Sequence, residues 1–178
     1  MSKKIACMIW VLFVTTAAAA QAPSPVIPNL PPPSQISMKV AGLGCATALG
    51  DNTFNVLTYS LGATVETSVG RPGGGGGVGI PTLLLSATKN LDACSFSLLV
   101  VLLQGAHVAS VDLVQKDVRG NPVLTIYLTD VMIGLHQTGG SISSDNPQET
   151  IQLDFRKICI SAPGNNTKCY DRWTNVIS

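Results

Sequence analysis

Charged side chains are scarce in this sequence. Asp, Glu, Lys and Arg together make 12% of 178 residues, about half the ~25% usual in soluble proteins. The charges also nearly cancel, eleven Lys and Arg against ten Asp and Glu. No basic stripe with interleaved aromatics is present, which argues against nucleic acid and anionic lipid as partners. Histidine occurs only twice, at His107 and His136, and no Cys-x-x-Cys exists. The ligand spacings of a zinc site are therefore missing, and no cofactor motif takes their place. Aromatic residues number nine, too few to lay out a row of exposed rings for an adhesin or carbohydrate-binding barrel. Long apolar runs are missing as well. Phe96 to Leu103 is eight residues, whereas a membrane-spanning helix needs about 20.

The first 20 residues carry the pattern of a secretory leader. Lys3 and Lys4 form a basic start, Ile5 to Val14 an apolar stretch, and Ala17 to Ala20 a small-residue cleavage site. Its removal takes two lysines, leaving nine basic against ten acidic residues and a net charge of −1. Residues 21–35 follow as a proline-rich linker, with six prolines between Pro23 and Pro33. Such a stretch reads as an extended tether. Four cysteines remain after the leader: Cys45, Cys94, Cys159 and Cys169. An even count in an exported chain implies two disulfides, with three pairings open. Cys159 and Cys169 flank a Pro-Gly-Asn-Asn loop and could close it, which would leave Cys45 for Cys94. The expected location is secreted or periplasmic, with no membrane segment left after cleavage.

Beyond the linker, short apolar runs of period two read as strands. They cover Ile36–Leu43, Phe54–Val69 with a weak point at Gly62, Ile80–Ala87, His107–Gln115, Val123–Leu135 and Thr150–Ile160. Two of them change parity midway. Leu124, Ile126 and Leu128 share one face, while Val131, Ile133 and Leu135 have the other; Ile151, Leu153 and Phe155 give way to Ile158 and Ile160. A bulge near Asp130, or burial of both faces, would explain the change. One helix is expected, capped by Asn90 or Asp92, apolar from Phe96 to Leu103, and ended by Gly105. It is apolar on nearly every side, so it belongs under a sheet or between the sheet and a neighbouring subunit. Residues 36–162 thus read as one mainly β domain, a small closed or nearly closed antiparallel barrel with one short α-helix. Residues 163–178 form a disulfide-closed tail.

Catalytic motifs find little context. Ser86-Ala-Thr-Lys89 and Ser144-Asp145-Asn146 have the look of serine β-lactamase strings. That chemistry needs serine and lysine one helical turn apart, yet Ser86 ends a strand and the two side chains point to opposite faces. The nearest partner of a Lys-Thr-Gly strand, Gln137-Thr138-Gly139, lacks the lysine and comes in the wrong order. No carboxylate stands at a local spacing that would orient His107. The run Gly73 to Gly77 lacks the Gly-Lys-Ser/Thr ending of a phosphate loop. Asn165-Asn166-Thr167 reads as a turn. No enzymatic activity is expected.

The order of these segments resembles a known family. Ile36-Ser-Met-Lys-Val-Ala-Gly-Leu and Phe54-Asn-Val-Leu-Thr-Tyr-Ser-Leu-Gly62 resemble the opening strands of Hcp, the haemolysin-coregulated tube protein of type VI secretion. Ala87-Thr-Lys-Asn-Leu-Asp-Ala-Cys-Ser95, with Gly105-Ala-His107-Val and Val111-Asp-Leu, is similar to that family's helix and next strand. Leu128-Thr-Asp-Val-Met-Ile133 and Pro147-Gln-Glu-Thr-Ile-Gln-Leu-Asp-Phe-Arg-Lys-Ile158 are similar to its closing strands. The resemblance implies a barrel that associates with itself into hexameric rings and tubes, has no catalytic residues, and can hold small effector proteins in its lumen. It also implies subunit contact through an extended loop, here Val69 to Ile80, with Val69, Arg71, Pro72, Val78 and Ile80 as contact residues. The leader, the cysteines and the glycine run depart from the family pattern.

Overall fold

The computed structural model describes residues 35–65, 81–142 and 145–178. The leader, almost all of the proline-rich linker and the candidate contact residues Val69, Arg71, Pro72, Val78 and Ile80 lie outside the described residues, as does Ser144. Among the described residues the chain is mainly β with one helix. The elements are β1 (Gln35–Val40), β2 (Ala46–Thr47), β3 (Gly50–Asp51), β4 (Thr53–Asn55), β5 (Thr58–Thr64), β6 (Thr82–Asn90), α1 (Ser95–Gln104), β7 (His107–Lys116), β8 (Pro122–Gly139), β9 (Gln148–Ser161), β10 (Lys168–Asp171) and β11 (Val176–Ile177).

Nine of these strands form one antiparallel sheet. Its spine runs β6-β9-β8-β7-β1-β4, with β5 on the free side of β6 and the β10–β11 hairpin on the second half of β9. The sheet curls until its margins almost meet. Val56 N–H donates to Ile36 O at 2.9 Å and Leu57 N–H to Thr88 O at 2.8 Å. Two residues between β4 and β5 thus bridge the margins, and the barrel stays incompletely closed. The expected weak point at Gly62 is not where the chain breaks: Gly62 pairs with Leu84 inside β5, and the break falls at Val56–Leu57, where the chain changes partner.

The core is apolar and contiguous. Met38, Val40, Phe54, Leu85, Val111, Leu113, Leu128, Val131, Leu153 and Phe155 are all essentially inaccessible. The parity change takes a form that no single strand reveals. At one level β7, β8 and β9 each spend two consecutive residues away from the core: Ala109–Ser110, Thr129–Asp130 and Arg156–Lys157. The pairings Val108↔Val131↔Phe155 on one side and Val111↔Leu128↔Ile158 on the other belong to one unbroken register. A bulge in one strand alone would slip the register. Here three strands kink together, and Asp130 adopts φ +54° to allow it. The register shift between β8 and β9 lies instead between Ile133 and Leu135, at Gly134.

Helix α1 ends as its sequence implies, on Gly105 at φ +59°, a left-handed conformation that glycine adopts without a Cβ clash. Its start differs. Cys94 is the N-cap residue and makes no side-chain cap bond; Asp92 acts two residues earlier, accepting Cys94 N–H at 2.8 Å. Cys94 is bonded to Cys45, and Cys159 to Cys169. The second bridge joins a directly paired position of β9 and β10.

Candidate assembly surface

The helix exposes what the sequence suggests it should hide. Leu98 is fully buried, and Val101 and Leu102 pack on the core. On the outer side Phe96 is 74% and Leu103 73% exposed, with Leu99 and Val100 half-buried between them. The spacing 96, 99/100, 103 makes one continuous apolar stripe along the helix. Burial on all sides is therefore not achieved among the described residues. A stripe this open at both ends, in a chain so poor in charge, is a candidate contact surface.

Strand edges supply a second kind of contact. β5 pairs only with β6 among the described residues, so its outer backbone groups form a free edge able to accept another strand. Thr64 faces Thr82 across the β5–β6 ladder. The candidate contact segment 69–80, between these two positions in the sequence, lies outside the described residues.

A buried ionic cluster holds the helix start beneath this surface. Lys89 and Glu149 are each about 1% exposed, and Lys89 Nζ lies 2.5 Å from Glu149 Oε1. Nζ also contacts Ser95 Oγ at 3.0 Å, Asn90 O at 3.0 Å and Asp92 Oδ1 at 2.9 Å, and sits 5.0 Å from the centre of the Phe54 ring. His136 Nε2 meets the other Glu149 oxygen at 3.0 Å. Ser95 Oγ donates to Glu149 Oε1 at 2.9 Å and accepts from Asp92 N–H at 2.9 Å as well as from Lys89. A hydroxyl has one donor and two acceptor sites, so Ser95 is saturated and not poised as a nucleophile. Ser86 and Lys89 lie on opposite faces of β6, Lys89 inward with Leu83, Leu85 and Ala87. The lactamase-like string has no matching geometry.

The outer face of the strand kink carries a different constellation. His107 Nδ1 lies 2.6 Å from Asp130 Oδ1; Arg172 pairs with Asp154, and Arg156 with Asp171 at 3.2 Å. Trp173 covers the Arg156 guanidinium at 4.2 Å. His107, Asp130, Asp154, Arg156, Arg172 and Trp173 border a groove of about 480 Å³. Burial pushes the Asp171 carboxyl up, but hydrogen bonds from Trp173 N–H, Arg156 and Thr174 N–H outweigh it and hold it below the usual carboxylate range. Asp112, facing Lys39 across β7 and β1, moves the other way: burial raises it, and Lys39 only partly offsets this. Among the described residues no group of His, Cys, Asp and Glu is arranged to hold a metal ion.

Residues 40–161 match the family model described as "Type VI secretion system effector, Hcp". The chain belongs to the Hcp family. Its fold matches solved Hcp structures. Hcp1 from Salmonella typhimurium aligns with a TM-score of 0.67 and 21% identity, over 82% of this chain and 99% of that one. A protein described as a type six secretion system protein aligns with a TM-score of 0.69 and 20% identity, over 81% and 99%. A type VI secretion system effector from Yersinia pestis gives 0.57 and 23%, over 76% and 98%. No curated protein sequence matches the chain. In this Hcp-family member the buried cluster escaped sequence reading, although one signal was available. Lys89 and Glu149 both fall on the inward parity of strands otherwise apolar on that side. The His107–Asp130 pair had no local signal, because 23 positions separate the partners.

Proposed function

We propose that the chain is an exported Hcp-type structural protein that associates with copies of itself into rings, which stack into a tube. The observation that carries this reading is the open apolar stripe of α1, Phe96 to Leu103, on a barrel of the Hcp family. Full burial of a side chain such as Phe or Leu yields about 1.5–3 kcal/mol, and repetition around a ring multiplies that gain. A hexamer is the favoured closure. A fold neighbour from the anti-feeding prophage baseplate, with a TM-score of 0.51 and 15% identity, comes from a 6-fold symmetrised structure. Residues 1–20 act as the leader, 21–35 as a linker and 163–178 as a disulfide-closed tail on the 36–162 barrel. Val69, Arg71, Pro72, Val78 and Ile80 extend the contact to the next subunit, and the lumen takes small effector proteins. The role is structural and not enzymatic. Both disulfides suit an oxidising compartment outside the cytoplasm.

Size-exclusion chromatography with light scattering on oxidised residues 21–178 tests the reading. The expected species has six times the subunit mass, matching the 6-fold symmetry of that neighbour. Phe96→Asp with Leu103→Asp should return it to a monomer of unchanged circular dichroism. A strict monomer for the unaltered chain at micromolar concentration would overturn the reading in favour of a monomeric extracellular binding module.

A further inference from the structure

The groove at the strand kink is lined by none of the α1 stripe residues, and its composition points to a ligand of its own. Its walls come from two sources. His107, Asp130, Met132, Asp154 and Arg156 lie on the outer face of β7, β8 and β9, where the shared kink turns two consecutive residues outward on each strand. Arg172 and Trp173 come from the tail after residue 161, beyond the family-matched segment, held by the Cys159–Cys169 bridge and the β9–β10 ladder.

Three features define what could bind there. Trp173 is 71% exposed, a large ring presented to solvent above a fixed guanidinium. Around it, Asp154 is ion-paired with Arg172 and Asp171 with Arg156, while Asp130 is hydrogen-bonded to His107. A pre-paired set offers fixed acceptors and donors but little net charge, so it calls for neither an anion nor a cation. The open apolar surface of the groove comes from Trp173 and Met132, while Phe155 beneath them is 2% exposed. One polar group at the place is unaccounted for: the buried Nε of Arg156 has no hydrogen-bond partner among the described residues.

We infer that this groove binds a neutral saccharide, one ring face lying on Trp173 and its hydroxyls bridging the Asp154–Arg172 and His107–Asp130 pairs. Sugar hydroxyls both donate and accept, which is what paired carboxylate and guanidinium or imidazole groups require. The C–H face of a pyranose is apolar and suits an aromatic ring with one wet side. The volume, about 480 Å³, falls within the ~300–1,000 Å³ of ordinary ligand sites.

The test uses the only tryptophan that residues 21–178 contain. Trp173 emission is followed while cellotetraose, maltotetraose and N-acetylchitotetraose are added separately to the oxidised chain, with inorganic phosphate as the ionic probe. The expected result is a saturable emission change with at least one sugar, at millimolar or tighter Kd, and none with phosphate. Asp154→Asn, which keeps shape, and Arg172→Gln, which removes the guanidinium, should each weaken that sugar by about tenfold, equivalent to 1.4 kcal/mol. Trp173→Ala, followed by calorimetry, should abolish the heat of binding. Phe96→Asp with Leu103→Asp should bind as the parent does, separating this site from assembly. No response to any of the three sugars, or a phosphate response that the two charge variants abolish, would overturn the proposal.

Discussion

Lys89 is the residue whose environment asks most of the fold. A lysine and a glutamate almost wholly inaccessible to solvent are tolerable only because every polar atom finds a partner. Removing one partner strands the other. Lys89→Met is therefore expected to cost about 3–5 kcal/mol in urea unfolding. Lys89→Met with Glu149→Leu should recover much of that loss, since an apolar pair of similar volume often replaces a buried ion pair without penalty. A single variant as stable as the parent would show that the pair is not buried. Asp117 offers a test of the opposite kind at the β7–β8 turn. Its carboxylate accepts from Asn121 N–H at 2.9 Å and Arg119 N–H at 2.8 Å, and the Asn121 backbone contact is the main cause holding its pKa below 3.8. A depressed folded-state pKa adds stability above the unfolded value that disappears as pH falls through the folded one. Asp117→Ala should thus be less stable at neutral pH, and the gap should narrow in thermal melts taken below pH 3.8. Both residues were visible in sequence as single letters. The glutamate partner of Lys89, 60 positions away, was not.

The C-terminal hairpin is the element whose stability is easiest to separate from the rest. β10 and β11 add to the outer edge of β9 with little core of their own, and a bridge across 10 positions ties them down. In the chain-entropy view a loop of that size contributes about 3 kcal/mol, and the 49-position bridge from Cys45 to Cys94 about 4 kcal/mol. Cys159→Ser with Cys169→Ser should loosen β10–β11, seen as faster amide exchange at Tyr170 and Asp171, while the barrel stays folded. Cys45→Ser with Cys94→Ser should lower the melting temperature of the whole domain, because Cys45 and Cys94 are core residues. Equal effects from the two pairs would refute this division. Strand existence was readable from period two, and the helix end from Gly105. Strand breaks were not, as Gly62 against Val56–Leu57 shows: a change of pairing partner leaves no mark in local composition.

For the molecule as a whole, the sheet nearly closes on itself yet leaves apolar surface outside. If that surface serves self-association, apparent melting temperature should rise with protein concentration by mass action. The variant Phe96→Asp with Leu103→Asp should lose this dependence. A concentration-independent melt for the unaltered chain would contradict ring formation. Composition and alternation alone established a β-rich chain, low in charge, with one helix and two disulfides to place, because each depends on residues adjacent or nearly adjacent in the chain. Folding added the rest. It set three strands kinking in register, joined Lys89 to Glu149 and His107 to Asp130, and turned the Phe96 side of α1 outward. Such pairings depend on which strand lies beside which, and hydrophobic burial is blind to that choice until the sheet has curled.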